Sequence, residues 1–301
     1  PLIEQQFINI KRQYELSGGQ YQVLLAKRAE AGILNASNLP DTKVIDPALD
    51  RGQSPTGPNR TLNYLIGLLL GGVLPIGILL LRDMLNTKIM SREDLASATS
   101  LPIAGVAPHS SHDSNLVVFN KPKSSVAESF RGLRANLKFI AEKPAPGKAQ
   151  VFAVTSSISG EGKTFMAINM ASIISLSGSK VALVGMDLRK PKIFNDFNLS
   201  NATGLSTYLS GEDQVLDVIQ KTSYANLDII SAGPVPPNPS ELIMSDRFET
   251  LVGVLRDTYD YVIIDTPPVG LVADVLQIMP LIDGTIYISR FNYTQASMFS
   301  L

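Results

Sequence analysis

The residues whose types and spacing most clearly indicate a binding site form one short run, Ser156–Thr164. It reads Ser-Ser-Ile-Ser-Gly-Glu-Gly-Lys-Thr. An apolar run, Val151–Val154, precedes it and a stretch with helical character follows it. A strand therefore delivers this loop to a helix N-terminus, where backbone N–H groups and the helix dipole favour a phosphate. A plain glycine- and serine-rich turn is the alternative interpretation, but it leaves Lys163 without a role.

Within this phosphate-binding loop (the P-loop), two side chains have separate predicted tasks. We expect Lys163 to reach the β- and γ-phosphates of ATP and the Thr164 hydroxyl to hold Mg²⁺. The loop is a variant, because Ser157 stands where the usual pattern begins with glycine. The predicted nucleotide-binding residues are Ser159, Gly160, Glu161, Gly162, Lys163, Thr164 and Phe165.

Two aspartates end other apolar runs of the sequence. Lys180–Met186 leads into Asp187, and Tyr261–Ile264 leads into Asp265. Ligands of open α/β sheets bind beyond the carboxyl ends of the strands, so both carboxylates are placed to meet Mg²⁺ beside the P-loop. Each aspartate could instead cap a helix. The predicted metal ligands are Thr164, Asp187 and Asp265, and the predicted catalytic residues are Lys163, Asp187, Asp265 and Arg189.

The elements that must position these residues follow from the apolar pattern after residue 150. Short apolar runs alternate with helical stretches, which predicts an α/β fold: a P-loop doubly wound, mostly parallel sheet. The helix after the P-loop is predicted to end near Ser177, with Gly178 as its cap. The predicted strands are Val151–Thr155, Lys180–Met186, Leu227–Ser231, Tyr261–Asp265 and Thr285–Ser289.

Composition excludes several classes of function. The 301 residues leave room for about two domains. A formal net charge of −1 gives no indication of a nucleic-acid partner. The absence of cysteine excludes disulfides, thiolate metal sites and a cysteine nucleophile. We interpret the proline- and serine-rich segment around His109 and His112 as a solvated loop rather than a metal site.

An uncharged stretch, Thr61–Leu81, predicts a transmembrane helix. Roughly 20 residues at about 1.5 Å each span a hydrocarbon core of roughly 30 Å. A buried core helix is the alternative, but such helices rarely lack a polar face. Because ATP is cytoplasmic, the P-loop side is expected inside the cell and residues 1–60 outside. An earlier span is then expected upstream of Pro1, in a longer protein from which this chain reads as an excerpt.

These features divide the chain into an extracytoplasmic module end (1–60), a transmembrane helix (61–82), a juxtamembrane linker (83–125) and a cytoplasmic P-loop domain (126–301) that is incomplete at its C-terminus. The first part is expected to be a helical or α+β module.

Residues 2–30 of this module look helical, with a bend or stop at Gly18 and Gly19. Smaller predicted elements are a strand at Thr42–Ile45, a helix capped by Ser91 with Asp94, a strand at Ile103–Val106, a linker at Ala107–Ser125 and a helix at Val126–Ala141.

Three motifs together resemble the bacterial tyrosine kinases (BY-kinases) fused to polysaccharide co-polymerase membrane modules of the Wzc type. They are the P-loop Ser156–Thr164, the segment Val184–Arg189 followed by Pro191, and Ile263–Pro268 with its Asp-x-Pro-Pro pattern. The paired motifs separate this family from ordinary P-loop ATPases. The resemblance covers about residues 33–294, and within this range it is looser for the proline-containing stretch Asp46–Arg60 before the membrane.

The chain departs from the family's pattern at two positions. Gly185 stands where the family has an aspartate that is its candidate catalytic base. Asp187 remains, to serve Mg²⁺ or to accept the tyrosine proton. Ser159 replaces a common proline, which is expected to cost only rigidity. Arg189 either stabilises phosphate charge or forms a surface salt bridge.

Glu128, Arg131 and Arg134 share one face of the predicted helix Val126–Ala141. Any solvated helix can carry such charges. In the resembled family, however, an E-x-x-R-x-x-R pattern at this place builds a ring of subunits and presents one subunit's tyrosine tail to its neighbour. The resemblance therefore implies a homo-oligomer that phosphorylates itself in trans.

The function implied by the resemblance is an ATP- and Mg²⁺-dependent protein-tyrosine autokinase of the bacterial inner (plasma) membrane. It would regulate the chain length and export of an exopolysaccharide or capsule. Its implied partners are further copies of itself, the polysaccharide polymerase and export machinery, the membrane and a cognate tyrosine phosphatase, with no nucleic acid. No acceptor tyrosine is assigned, because Tyr287 lies in a predicted strand and nothing marks Tyr293.

Two alternatives stay open. The first is an ATPase of the ParA/MinD sort, although those proteins normally carry a lysine where this loop has Ile158 and Ser159, and lack an integral membrane helix. The second is a co-polymerase scaffold whose nucleotide domain only senses ATP, and Gly185 is the feature that favours it.

Overall fold

The computed structural model describes residues 2–37, 57–110, 114–140, 144–270 and 274–299. The chain divides into two compact units, Pro1–Gly77 and Ile78–Leu301. The strands are β1 Gln150–Ser156, β2 Val181–Gly185, β3 Ile219–Lys221, β4 Leu227–Ile230, β5 Tyr261–Asp265 and β6 Gly284–Ile288. The α-helices are α1 Leu2–Ser37, α2 Arg60–Met84, α3 Arg92–Ala98, α4 Val117–Asn120, α5 Ser125–Ile140, α6 Lys163–Ser175, α7 Ile193–Asp196, α8 Leu205–Ser210, α9 Val215–Val218, α10 Pro239–Ile243, α11 Asp246–Thr258 and α12 Asp274–Ile278. Short 3-10 helices cover Met279–Leu281 and Ala296–Phe299.

Helix α1 runs without interruption for 36 residues. The predicted stop at Gly18 and Gly19 is therefore wrong, and the alternative, a bend there, stays a prediction. Two glycines cost only about 1 kcal/mol each relative to alanine, and a long helix propagates across them because each added residue gains a hydrogen bond. The predicted strand Thr42–Ile45 and most of Asp46–Arg60 lie outside the described residues.

Helix α2 contains the whole predicted membrane span. It is 25 residues long, and its most apolar window has a mean hydropathy of 2.4 with 0% of that window buried. Its charged residues, Arg60, Arg82 and Asp83, lie at its ends, and Pro75 lies inside it. In the part of the chain that the structure describes, it is the one helix long and apolar enough to cross a membrane.

The sheet has six strands in the order β3-β4-β2-β5-β1-β6. All neighbours pair in parallel except β3 and β4, which are antiparallel. The predicted mostly parallel α/β sheet is thereby confirmed. Strand β3 was not predicted, because Ile219–Lys221 is only 3 residues long and is not a continuous apolar run.

Helices cover both faces of this sheet, because alternate residues of each strand point to opposite sides. Phe152 and Val154 of β1 belong to an apolar cluster with α5 and α6. Val151 and Ala153 of the same strand belong to a second cluster with α8 and α11. Two buried faces explain why β1 is buried at every position and why its central residues, Val151–Val154, are all apolar.

Part of the predicted linker Ala107–Ser125 contributes to this core. Leu116, Val117 and Val118 are buried, and residues 117–120 form α4. The buried Val118 N–H donates to Asn169 Oδ1 of α6 at 2.9 Å. The short apolar run was too brief to stand out among polar neighbours. The predicted strand Ile103–Val106 is not present, and Ala104 O instead accepts from Asn136 Nδ2 of α5 at 2.7 Å.

The chain between α2 and α3 is attached to the α/β sheet unit. Ile89 is buried, its N–H donates to Thr294 O at 2.9 Å, and its carbonyl accepts from Asn292 N at 2.9 Å. The next helix, α3, begins as predicted, since Ser91 Oγ accepts from Asp94 N at 3.0 Å. His109 lies further along the chain and is exposed. Among the described residues, no group of three or more His, Asp and Glu side chains could hold a metal ion.

Asn169 tests whether the 115–118 segment is integral to the α/β core. Its amide accepts from Val118 N and donates to Asn115 O and Phe165 O. Asn169→Ala leaves the buried Val118 N–H without this partner and removes two part-buried bonds, so we expect the free energy of unfolding to fall by about 3 kcal/mol. Urea denaturation of the detergent-solubilised chain measures this. The control Asn136→Ala removes one exposed amide bond and should cost less than about 1 kcal/mol; equal losses would contradict the assignment.

Candidate nucleotide-binding site

The P-loop connects the buried end of β1 to the first turn of α6. Gly160 and Gly162 have φ angles of +93° and +95°, a left-handed region that favours glycine. Helix α6 begins at Lys163, directly after Gly162. The first N–H groups of a helix have no intrahelical partners, so the loop and this helix end together present donors suited to phosphate oxygens.

The Lys163 side chain is largely withdrawn from solvent, with the residue 8% exposed. Burial lowers the pKa of its ammonium group, while the carboxylates of Asp265, Asp187 and Glu161 oppose that shift. The lysine is therefore close enough to interact with all three carboxylates. An ammonium group in this position has lost much of its hydration and is favourably placed for a polyanion.

Asp265 lies at the end of β5 and is the most buried carboxylate of the site, at 3% exposure. Its Oδ2 accepts from Thr164 Oγ1 at 2.8 Å, while no hydrogen-bond partner reaches its Oδ1 in the described structure. Burial raises the pKa of this carboxyl to about 7, with Asp187 adding to the shift and Thr164 and Lys163 opposing it.

This pair fits a divalent cation. A hydroxyl and a carboxylate with one unpartnered oxygen supply the oxygen ligands that Mg²⁺ prefers, with the remaining positions left for phosphate and water. The unpartnered Oδ1 is costly in a protein without ligand, and a cation would compensate that cost. Thr164 and Asp265 thus fit the predicted metal site as a pair.

Asp187 and Asp265 line the same cavity, which lies beyond the carboxyl ends of β2 and β5. Asp187 is half-buried, and its Oδ1 accepts from Lys190 N at 3.0 Å. This bond holds the carboxylate at the start of the segment after β2. Lys192 also lines the cavity, so the basic residues after Asp187 contribute to its wall.

Gly185 belongs to this cavity as well. A Cβ atom at this position would lie 3.3 Å from Ala232 N, so a larger side chain requires the neighbouring backbone to shift slightly. The carboxylate that the resembled family carries here is absent, and Asp187 and Asp265 are the acidic residues that line the cavity in the described chain.

Three further predicted site residues have side chains that are engaged in other contacts. Arg189 donates to Ser240 Oγ at 3.0 Å and does not line the cavity. The Phe165 ring packs against Phe130 with centroids 6.0 Å apart, so only its backbone is available to a nucleotide. The Glu161 carboxylate accepts from Ile158 N at 2.8 Å and from the Thr294 hydroxyl, so it braces the P-loop from within.

The charged face of α5 is separate from the cavity. Arg131 Nη1 pairs with Glu128 Oε2 at 2.6 Å on the exposed surface. Arg134 Nη1 donates to Ile173 O of α6 at 3.3 Å. These contacts are within one chain, and the predicted role of the three residues in self-association stays a prediction.

Sequence reasoning missed a group of residues that contact the P-loop from far along the chain. Arg290 Nη1 donates to Gly160 O at 2.8 Å, and Tyr293 Oη donates to Ser159 O at 2.9 Å. Tyr287 Oη is 2.7 Å from Ser157 Oγ. These residues are 130 or more positions away from their partners, and no spacing pattern in the sequence connects them.

The loop, the two aspartates and the parallel sheet define a P-loop nucleotide-binding domain. Comparison with protein families agrees: residues 149–283 match a family described as "AAA domain". Residues 2–84, which include α2, match a family described as "G-rich domain on putative tyrosine kinase".

Individual relatives identify the family. The chain is 30% identical over 322 residues to the tyrosine-protein kinase Etk of Escherichia coli (strain K12), which covers 100% of this chain and 44% of Etk. It is 31% identical over 309 residues to the tyrosine-protein kinase Wzc of Salmonella typhi, covering 97% and 42%. The solved kinase domain of Escherichia coli ETK is 31% identical with a TM-score of 0.65, covering 70% of this chain and 87% of that domain.

The chain belongs to the bacterial tyrosine-kinase family that includes Etk and Wzc. This confirms the resemblance predicted from the P-loop and the two aspartate motifs. The chain spans less than half of the length of Etk and Wzc, at 44% and 42%.

Asp265 allows a test of the site that is independent of catalysis. Because its pKa rises from 3.8 to about 7 on folding, the ligand-free protein loses stability as pH rises through this interval. We expect Asp265→Asn to raise the unfolding temperature of the nucleotide-free chain at pH 8 by about 2–6 °C. We also expect the variant to lose the stabilisation that Mg²⁺·ADP gives the parent chain.

Thermal unfolding with and without Mg²⁺·ADP checks both effects. Asp283→Asn is the matched control, because Asp283 is paired with Arg256 at 2.9 Å and its loss should destabilise the protein. If Asp265→Asn lowers the unfolding temperature and keeps the response to Mg²⁺·ADP, then this carboxylate is not a metal ligand.

Proposed function

We propose that this chain is part of a membrane-anchored, ATP-dependent protein-tyrosine autokinase that acts in the export of an exopolysaccharide or capsule and regulates its chain length. Membership of the tyrosine-kinase family supports the proposal. The single observation that carries it is the hydrogen bond between Thr164 and the buried Asp265, whose other carboxylate oxygen is unpartnered among the described residues, beside Lys163 at the P-loop.

The residues of the site have distinct roles in this proposal. Lys163 and the backbone N–H groups of the P-loop bind the phosphates of ATP. Thr164, Asp187 and Asp265 hold Mg²⁺, which neutralises phosphate charge. The oxygen of an acceptor tyrosine attacks the γ-phosphorus, and the bond to the bridging oxygen breaks to give ADP and phosphotyrosine.

The acceptor tyrosine loses its proton in the proposed reaction. Gly185 has no side chain, and Asp187 is the half-buried carboxylate beside it. Phosphoryl transfer passes through a loose transition state, so catalysis depends mostly on positioning and charge stabilisation. We therefore assign Asp187 primarily to Mg²⁺, with acceptance of the tyrosine proton as its alternative role.

In this proposal, self-association brings the acceptor tyrosine of one subunit to the site of another. The face of α5 with Glu128, Arg131 and Arg134 would contact a neighbouring copy, so that a tyrosine tail of one subunit reaches the next subunit's cavity. The surface exposure of the Glu128–Arg131 pair is compatible with this role. The export machinery and a cognate phosphatase are the further partners we propose from the family.

A second function is favoured by Gly185. A co-polymerase scaffold that binds ATP without transferring its phosphoryl group needs the P-loop, Lys163 and the Thr164–Asp265 pair but no catalytic base. The two functions make the same prediction for nucleotide binding and opposite predictions for phosphotyrosine.

Phosphotyrosine formation separates them. Membranes containing the full protein are given labelled ATP and Mg²⁺ and blotted for phosphotyrosine. We expect Lys163→Met and Asp187→Ala each to reduce the signal at least about 100-fold, because charge stabilisation of the transferred group is lost. Lys148→Met is the control, since Lys148 pairs with Asp257 at the surface and should leave the signal unchanged.

Mixing copies tests transfer between subunits. The Lys163→Met protein should become phosphorylated when the parent protein is present in the same membrane. ATP binding without phosphotyrosine in any sample would reject the kinase and favour the scaffold.

Membrane orientation gives a further prediction. We propose that the residues before α2 are extracytoplasmic and that the α/β unit is cytoplasmic in the bacterial inner membrane. The chain has no cysteine, so single cysteines report their own location. A membrane-impermeant maleimide should label Gln20→Cys in spheroplasts and should label Lys123→Cys only after permeabilisation. The reverse pattern would invert the topology.

A further inference from the structure

We propose that the 290–294 turn, which follows β6, positions the P-loop for nucleotide binding, with Tyr293 and Thr294 as positioning residues. The proposal rests on the proposed nucleotide-binding function of the loop. It assigns a role to residues that touch neither the cavity nor the first turn of α6. Three successive P-loop residues, Ser159–Glu161, each accept a hydrogen bond from a side chain of this turn.

Two of these bonds orient peptide planes. Tyr293 Oη donates to Ser159 O at 2.9 Å, and Arg290 Nη1 donates to Gly160 O at 2.8 Å. A trans peptide is planar, so its N–H points opposite to its C=O. Holding these two carbonyls toward the turn directs the N–H groups of Gly160 and Glu161 away from it. Successive N–H groups aimed to one side form the concavity that binds phosphate.

The third bond joins the turn to both ends of the loop. The Thr294 hydroxyl donates to Glu161 Oε1 and accepts from Arg290 N at 2.8 Å. The other carboxylate oxygen of Glu161 accepts from Ile158 N at 2.8 Å. Thr294 is fully buried and Glu161 is 4% exposed. A buried charged group with both oxygens bonded is a specific anchor, because a lost partner leaves it unsatisfied.

The loop benefits from such anchors because of its glycines. Gly160 and Gly162 lose more conformational freedom than other residues when the loop takes one shape. Bonds that order the loop before the ligand arrives reduce the entropy lost on binding. Tyr293 is itself oriented, since the Arg290 guanidinium carbon lies 5.2 Å from its ring centroid.

The turn is a fixed support. Tyr293 N and Thr294 N both donate to Arg290 O, at 3.1 and 3.0 Å. The juxtamembrane residue Ile89 pairs with Asn292 and Thr294 through two backbone bonds of 2.9 Å. The position of the turn is thus set by the surrounding chain and not by the P-loop alone.

Nucleotide affinity tests the proposal. The dissociation constant for Mg²⁺·ADP is measured on the detergent-solubilised full chain. We expect Tyr293→Phe and Thr294→Val each to weaken binding about three- to tenfold, because each variant loses one hydrogen bond to the P-loop. Thr294→Ser retains the hydroxyl and should bind within about twofold of the parent. Where phosphotyrosine formation is measured, KM for ATP should rise with kcat nearly unchanged.

Matched controls separate positioning from a general loss of stability. Tyr259→Phe removes a bond to Asp228, and Thr222→Val removes bonds to Tyr224 and Leu227. These controls should change thermal stability and leave the affinity for Mg²⁺·ADP unaltered. If Tyr293→Phe and Thr294→Val behave like them, the turn has only a structural role and the proposal is wrong.

Hydrogen exchange gives a readout without nucleotide. Amides of residues 156–162 should exchange faster in Tyr293→Phe and Thr294→Val than in the parent chain, and unchanged exchange would overturn the proposal. If the parent chain binds no Mg²⁺·ADP, the proposed nucleotide function fails, while exchange still decides whether the turn orders the loop.

Discussion

The register of three parallel strands determines where every chemical group of the site lies. Asp265 at the end of β5 is aligned with Val154 of β1 on one side and with Gly185 of β2 on the other. The P-loop leaves β1 just beyond Val154, and Asp187 follows Gly185. One shift of register would move the carboxylates along the strands and to the opposite sheet face. The apolar residues that pack both faces hold this register.

The same alignment concentrates charge in a poorly hydrated place. Lys163 and Asp265 are both buried, and burial is the main cause of the altered pKa of each group. Their mutual attraction opposes those shifts, and among the described residues Asp265 Oδ1 still has no hydrogen-bond partner. The ligand-free site therefore stores an electrostatic cost, which a metal-bound nucleotide can relieve. Ionisable groups with perturbed pKa values are common at functional sites.

The P-loop has conformational freedom from its glycines and is held in place by hydrogen bonds. Its glycines permit the left-handed backbone that the loop requires, and Glu161 with the 290–294 turn limits that freedom. Backbone hydrogen bonds of Ile89 connect the 290–294 turn to the chain that follows α2. The membrane-proximal segment, the end of β6 and the phosphate-binding loop thus form one continuous hydrogen-bonded structure within the second unit.

The sequence by itself determined the P-loop, the strands that carry it, the two aspartates and the apolar helix α2, because these are local patterns of residue type and spacing. It misjudged Gly18 and Gly19, since local propensity is weak against helix propagation, and it missed the core role of Leu116–Val118. Only the tertiary structure decided that Thr164 bonds Asp265, that Arg189 contacts Ser240 and that Tyr293 and Thr294 brace the P-loop. These contacts join residues far apart in the chain, and such proximity arises only when the sheet register and its covering helices bring them together.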